Sequence, residues 1–382
     1  MARLGDFIEQ IRGVSYKPDD ICNQSDSDAI AILRANNIQD DGLNFDDLVY
    51  VKSKKVSSNQ LIKKGDIVVC ASSGSKHLVG KASIAKKDLA MSFGAFCKVV
   101  RAKNILPEYL GHYFQSPAYR NLISHLAGGA NINNIRNEHI DELSITIPDV
   151  EKQKEISKKL DKISDLISYR REQLYKLDEL VKAQFVELFG DPESNTKEWT
   201  KDILSNHLDV IGGYAFKSDL FLEDGIPVLR IGNINSGYFQ STNMVYWNHD
   251  NSLSRYMMYP GDLVMSLTGT VGKDDYGNVC ILGDDYNCYY LNQRNAKLEL
   301  FQSLNKYYLS QILKFSAVKK KLTGISRGVR QANISNKDIL NLEIPIPPIE
   351  LQNQFAAFVE QVDKSKFAVQ QSLDKLETLK KS

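Results

Sequence analysis

Ile145-Thr146-Ile147-Pro148-Asp149-Val150-Glu151-Lys152-Gln153 returns 199 residues later as Ile344-Pro345-Ile346-Pro347-Pro348-Ile349-Glu350-Leu351-Gln352. In both copies proline stands at the start of a long run of helix formers with no internal Gly or Pro. Proline suits that place because its φ is already helical and it has no N–H to lose. Working forward, the first run spaces Ile156, Leu160, Ile163, Ile167, Leu174, Leu177, Val181 and Leu188 by threes and fours, with Arg170 and Gln184 as polar breaks. The second does the same with Leu351, Phe355, Phe358, Val362, Val369, Leu376 and Leu379, broken by Ser365 and Ser372. One helix cannot bury so long a seam by itself, so each needs a partner, and the other helix of the chain is at hand. The order of unit, helix, unit, helix favours an antiparallel pair with the mixed units at opposite ends. At ~1.5 Å per residue such helices are roughly 45–60 Å long.

Working backward from the two prolines, the repeat continues. Leu4, Ile11 and Gly13 recur as Leu204, Ile211 and Gly213. Leu33-Arg34 with Asn37-Ile38 recurs as Leu229-Arg230 with Asn233-Ile234, and Gly65-Asp66 as Gly261-Asp262. The offset drifts only between 196 and 200, which means a duplicated fold with loop insertions. Each mixed part has short β-rich runs (Ile67-Val68-Val69-Cys70, Leu263-Val264-Met265), turns rich in Gly, Asn and Asp, and helical stretches near 106–126 and 305–323. The fold class expected is α+β: two similar mixed domains at 1–148 and 200–347, long helices at 149–189 and 348–382, and a linker at 190–199, related by a pseudo-twofold axis.

The net charge of +1 conceals an internal polarity. Residues 52–103 carry twelve Lys and Arg against Asp66 and Asp88, while residues 19–47 carry eight Asp against Arg34. Residues 314–337 hold Lys314, Lys319, Lys320, Lys321, Arg327, Arg330 and Lys337 with no acid. Two basic stretches beside Gly- and Asn-rich loops suit a phosphate backbone. The candidate DNA-binding residues lie in three sets of loops. The first is Ser72-Ser73-Gly74-Ser75-Lys76 through Gly80-Lys81, matched with Thr268-Gly269-Thr270 through Gly272-Lys273. Hydroxyls, Gly-freed N–H groups and a Lys can approach phosphates closely. The second holds Asn131, Asn133, Asn134 and Arg136, against Arg327, Arg330, Gln331 and Asn333. Here Asn or Gln suits adenine and Arg suits guanine. The third is Gln293-Arg294-Asn295, aligned with Gly94-Ala95-Phe96. Arg34 and Asn36, with Arg230 and Asn233, complete the candidates. Plain turn chemistry is the competing reading of all these loops.

Other chemistry finds little support. Five cysteines without a Cys-x-x-Cys pair argue against a disulfide scaffold or zinc thiolates. Gly74 to Gly80-Lys81 resembles a P-loop but has one residue too many and Ala82 where Ser or Thr is needed. The histidines have no ligand spacing, and the Asp pairs fit no calcium loop. The amino-methyltransferase Asp/Asn-Pro-Pro-Tyr motif and the Gly-x-Ser-x-Gly elbow are both missing, so no catalytic residues, no metal and no enzyme are expected. The opening Met1-Ala2-Arg3-Leu4-Gly5-Asp6 has no signal-peptide core, and no apolar run reaches membrane-span length, so a cytoplasmic location is expected.

This layout resembles the specificity subunit of type I restriction-modification systems over the whole chain. The resemblance rests on the Leu33–Ile38 and Leu229–Ile234 stretches, the Gly-Asp strands and the two Pro-x-x-Glu-x-Gln helix starts, with Asp149 departing from the second proline. It implies two target-recognition domains, each reading half of a bipartite site in double-stranded DNA. It also implies two methyltransferase subunits held on the helices and restriction subunits in the full complex. S-adenosylmethionine, ATP and Mg²⁺ would be used by those partners and not bound by this chain. The rival reading is a non-catalytic duplicated scaffold with a coiled-coil dimerisation element.

Overall fold

The computed structural model describes residues 1–75, 78–127, 134–270, 275–324 and 331–381. The chain forms two compact units, Met1–Glu172 with Gln370–Ser382, and Gln173–Val369. The long helices thus contribute a segment to each unit.

In the first unit, Ile67–Cys70 is buried along its whole length. Successive side chains of a strand point to opposite faces, so such a run needs cover on both sides. Ile67 and Val69 enter one core with Leu110, Phe114, Tyr119 and Ile123. These four come from α1 (Pro107–Gln115) and α2 (Pro117–Ala127). Val68 and Cys70 enter a second core with Leu33, Phe93 and Val99. The strand lies inside an antiparallel sheet in the order Ile8–Arg12, Cys97–Ala102, Ile67–Cys70, Ala82–Ile84. A second sheet runs Val49–Lys52, Ala29–Leu33, Met91–Phe93, its last pair parallel. The short α3 (Asn137–Asp141) then leads to α4 (Val150–Phe189).

The second unit repeats this plan. Leu208–Gly212, Asn295–Leu300, Leu263–Ser266 and Val279–Ile281 form the antiparallel sheet. Val245–Trp247, Ile226–Leu229, Tyr289–Leu291 and Met257–Met258 form the other, again with one parallel pair. Then come α5 (Lys306–Lys314), α6 (Ser316–Thr323), α7 (Asn336–Leu340) and α8 (Ile349–Lys381).

The Gln of each helix start has a structural task. Gln153 Oε1 accepts the N–H of Leu106 and Gln352 Oε1 that of Asn305, while their amides donate to Pro148 O and Pro347 O. Both side chains are buried and fix the long helix to the first turn of α1 or α5. Within the second unit the helix segments run antiparallel. Asp178 pairs with Lys366, while Phe185 and Phe189 meet the Phe355 ring at 5.5 and 5.6 Å. In the first unit Arg171 pairs with Glu377 at 2.7 Å, and His112 on α1 meets Asp161 on α4 at 2.9 Å.

The seam broadly follows the spacing read from the sequence, and it departs from it most clearly towards the helix ends. Phe185 and Phe189, outside the expected heptad, are the most buried side chains of the α4 end, packed on Tyr308 and Phe315. Leu379, expected in the seam, is 56% exposed, and Leu373 is buried in the last turns instead. A straight α-helix drifts about 20° per heptad, enough to carry a terminal residue off the line. Residues 190–199 are closely bonded. Glu193 and Ser194 donate backbone N–H groups to Asp191, and the Trp199 indole caps Phe189 O at 3.0 Å.

Candidate nucleic-acid interface

The three loop sets picked from the sequence meet in each unit at one main-chain node. In the first, Ala71 and Ser72 both donate their N–H to Phe96 O, at 2.9 and 3.0 Å. Ile135 donates to Ala71 O at 2.7 Å, and Ser72 bridges Asn134. In the second, Leu267 donates to Arg294 O and Ile334 donates to Leu267 O, both at 2.8 Å. Thr268–Thr270 pairs there with Gln331–Asn333, and Thr268 donates its hydroxyl to Asn333 Oδ1 at 2.8 Å. The loops are therefore gathered by backbone bonds continuous with the central sheet, which leaves their outward side chains open to a ligand.

These bonds also correct two alignments. Cys70 donates to Lys81 O and Gly80 to Cys70 O. Ser266 donates to Asn278 O and Gly277 to Ser266 O. Gly80 and Gly277 both have positive φ, +80° and +68°. The partner of Gly80-Lys81 is thus Gly277-Asn278, not Gly272-Lys273, because the second loop is longer. Likewise Phe96 corresponds to Arg294, one residue earlier than aligned. Asn295 is an interior residue that donates to Leu229 O at 2.8 Å.

Several candidates prove to be loop-fixing residues. Asn233 is 3% exposed; it accepts from Arg230 N and donates to Gln240 O and Thr242 O, so no polar group is left for a base. Asn37 does the same job with Arg34 N and Asp46 O. Arg34 reaches back to Asp47 with a 2.6 Å ion pair, and Arg230 to Asn243 O. The Leu-Arg-x-x-Asn-Ile repeat is thereby a structural motif. Asn36 beside it is exposed. Thr270 donates its N–H and hydroxyl to Asp275, so a phosphate there would face a carboxylate. Lys81 lies between Gln39 and Asp40, at 3.2 and 3.6 Å.

Ser75, Asn134, Arg136, Gln293, Arg294 and Asn333 are exposed around the nodes, with Ser72 and Ser73 half-buried beside them. Lys76, Asn131, Asn133, Lys273, Arg327 and Arg330 lie outside the described residues, and Gln331 is described through its backbone alone.

The basic stretches are partly neutralised from within. Lys55 pairs with Asp20 and Arg101 with Asp66, which joins the acidic segment and the strand to their positive neighbours. Lys98 is buried, bonded to Gln10 and Asn137, and desolvation pulls its ammonium down to about 8. Lys319 is buried and donates to Asn278. Lys54, Lys63, Lys64, Lys86, Lys87, Lys320 and Lys321 remain exposed. Burial pushes the Cys70 and Cys97 thiols up to about 11 and about 12, which keeps them protonated and poor nucleophiles. Among the described residues no three His, Cys, Asp or Glu are gathered as metal ligands, and no helix is long and apolar enough to cross a membrane.

The family described as type I restriction modification DNA specificity domain matches the chain twice, over residues 1–178 and 197–380. The chain belongs to that family. A type I restriction enzyme EcoKI specificity subunit of Escherichia coli K12 is 30% identical over 375 residues, 92% of this chain and 79% of that one. The StySPI specificity subunit of Salmonella potsdam is 41% identical over 173 residues, 45% of this chain and 37% of its own. The fold also matches the crystal structure of a type I restriction-modification S subunit from M. genitalium, with a TM-score of 0.56 and 14% identity, covering 99% of this chain and 93% of that one. The twofold match agrees with the duplicated sheets and nodes, and it makes DNA specificity the task of the chain.

Proposed function

We propose that each unit of this specificity chain reads one half of a bipartite DNA site, and that covalent chemistry belongs to partner polypeptides. The observation that carries this reading is the paired node, Phe96-Ala71-Ile135 and Arg294-Leu267-Ile334, each gathering three loops with exposed tips. Base contacts from the tips supply sequence identity, and exposed basic residues of each unit supply phosphate contacts. The paired helices set the distance between half-sites and hold two methyltransferase subunits, with restriction subunits joining in the full complex. S-adenosylmethionine, ATP and Mg²⁺ act in those partners, and this chain binds none of them.

Mapping methylated DNA in a host with and without the gene tests the reading. A gapped two-part motif that appears only with the gene is expected; a methylation pattern indifferent to the gene refutes it. Salt-dependent binding of duplex DNA by the chain with its methyltransferase separates this reading from a scaffold that touches no DNA.

A further inference from the structure

Phe96 is 69% exposed, more than any other large apolar side chain beyond Met1 among the described residues. It does not sit on a loose loop. Its carbonyl receives the N–H groups of both Ala71 and Ser72, and Cys97 donates to Gly94 O at 2.8 Å to close the turn beneath it. A rigid turn that presents a bare ring loses little entropy when the ring is covered. The same place in the second unit carries Arg294, on a turn closed by Asn295 N–H to Asn292 O at 2.9 Å.

We propose that Phe96 is a base-reading residue whose ring packs on the 5-methyl group of a thymine in the half-site read by the first unit. This deepens the DNA-reading role argued above and rests on it. A phenyl ring has no donor or acceptor for a base edge, and the thymine methyl is the apolar feature that distinguishes one base in the major groove. Arg294 at the equivalent node offers guanidinium donors instead, which suit guanine. One backbone position thus carries an apolar reader in one unit and a polar reader in the other.

The test uses the chain assembled with its methyltransferase, after its site has been mapped. Duplexes are made in which each thymine of the first half-site is replaced singly by uracil, which lacks the methyl. Wild type should lose methylation rate by roughly five- to tenfold at one position and at no other. Phe96→Ala should show the lowered rate on thymine and uracil alike at that position, with the second half-site read as before. Phe96→Leu should restore part of the preference for thymine. Thermal melting of both variants should match wild type, since the ring covers no core. Uracil tolerated everywhere by wild type overturns the proposal. So does a first half-site without thymine, or a Phe96→Ala variant weakened equally on all DNA. Failure of the underlying reading looks different: the wild-type complex would then discriminate at no base of the first half-site.

Discussion

Gln352, one turn into α8, accepts the backbone N–H of Asn305 at 2.8 Å, and its own amide donates to Pro347 O at 2.8 Å. One buried side chain therefore closes the helix start and welds it to α5. Gln352→Ala leaves the Asn305 N–H without its partner, so a loss of about 1–3 kcal/mol is expected. Urea unfolding of the second unit measures it. Gln153→Ala should cost the first unit a similar amount.

Phe185 is 1% exposed, with Tyr308 stacked at 5.4 Å and Phe355 edge-on at 5.5 Å. Phe185→Ala should destabilise the second unit by about 3–5 kcal/mol. Phe367→Ala, at a 65% exposed ring of the same unit, should be nearly neutral. Equal effects would mean that the helices do not share this core.

Lys98 gives the first unit a pH signature. Burial is the main cause of its low value, about 8 against 10.5 for a free lysine. Between those two values the unfolded chain holds a proton that the folded chain has released, so stability rises as pH climbs from about 8 towards 10.5. The cost of the buried charge is fully present below pH 8. Lys98→Met should flatten that rise in denaturation curves across the window; an unchanged slope assigns it to another group.

Arg171 and Glu377 face one another across the helix pair. Inserting four residues, about one turn, into both helices beside this pair should lengthen the gap in the methylated motif and leave both half-sites unaltered. Methylome sequencing reads the gap directly, and an unchanged gap removes the spacer role.

Asn134 and Asn333 are equivalent exposed residues at the two nodes. Asn134→Ala should relax the first half-site by roughly 5- to 150-fold and spare the other, and Asn333→Ala should relax the second by less, because its Oδ1 already accepts the Thr268 hydroxyl. Uniform weakening on all sequences would place these side chains on phosphates.

The repeat, the long helices and the three loop sets are legible in the sequence because they follow from periodicity and from turn chemistry, both local properties. Loop register is not local. Gly80-Lys81 resembles Gly272-Lys273 by letter, yet the bonds from Cys70 and Ser266 select Gly277-Asn278, since the second loop adds one residue before returning to the sheet. The motifs that carry the family resemblance turn out to be structural: Asn37 and Asn233 fasten loops, and Gln153 and Gln352 fasten helices. An Asn at a base and an Asn inside a turn look alike on paper. Burial tells them apart, and burial is decided by residues far away in the chain. Phe185 and Phe189 were hidden for a related reason, as they lie beside the expected heptad and are claimed by Tyr308 from another element.

The rungs at Ala71 and Leu267 consist of amide and carbonyl groups alone, so the platform is indifferent to the letters written on its rim. New lettering can be tried there without recasting the frame, and each lobe can be rewritten while its sibling keeps its address. A protein assembled this way can change its vocabulary faster than its anatomy.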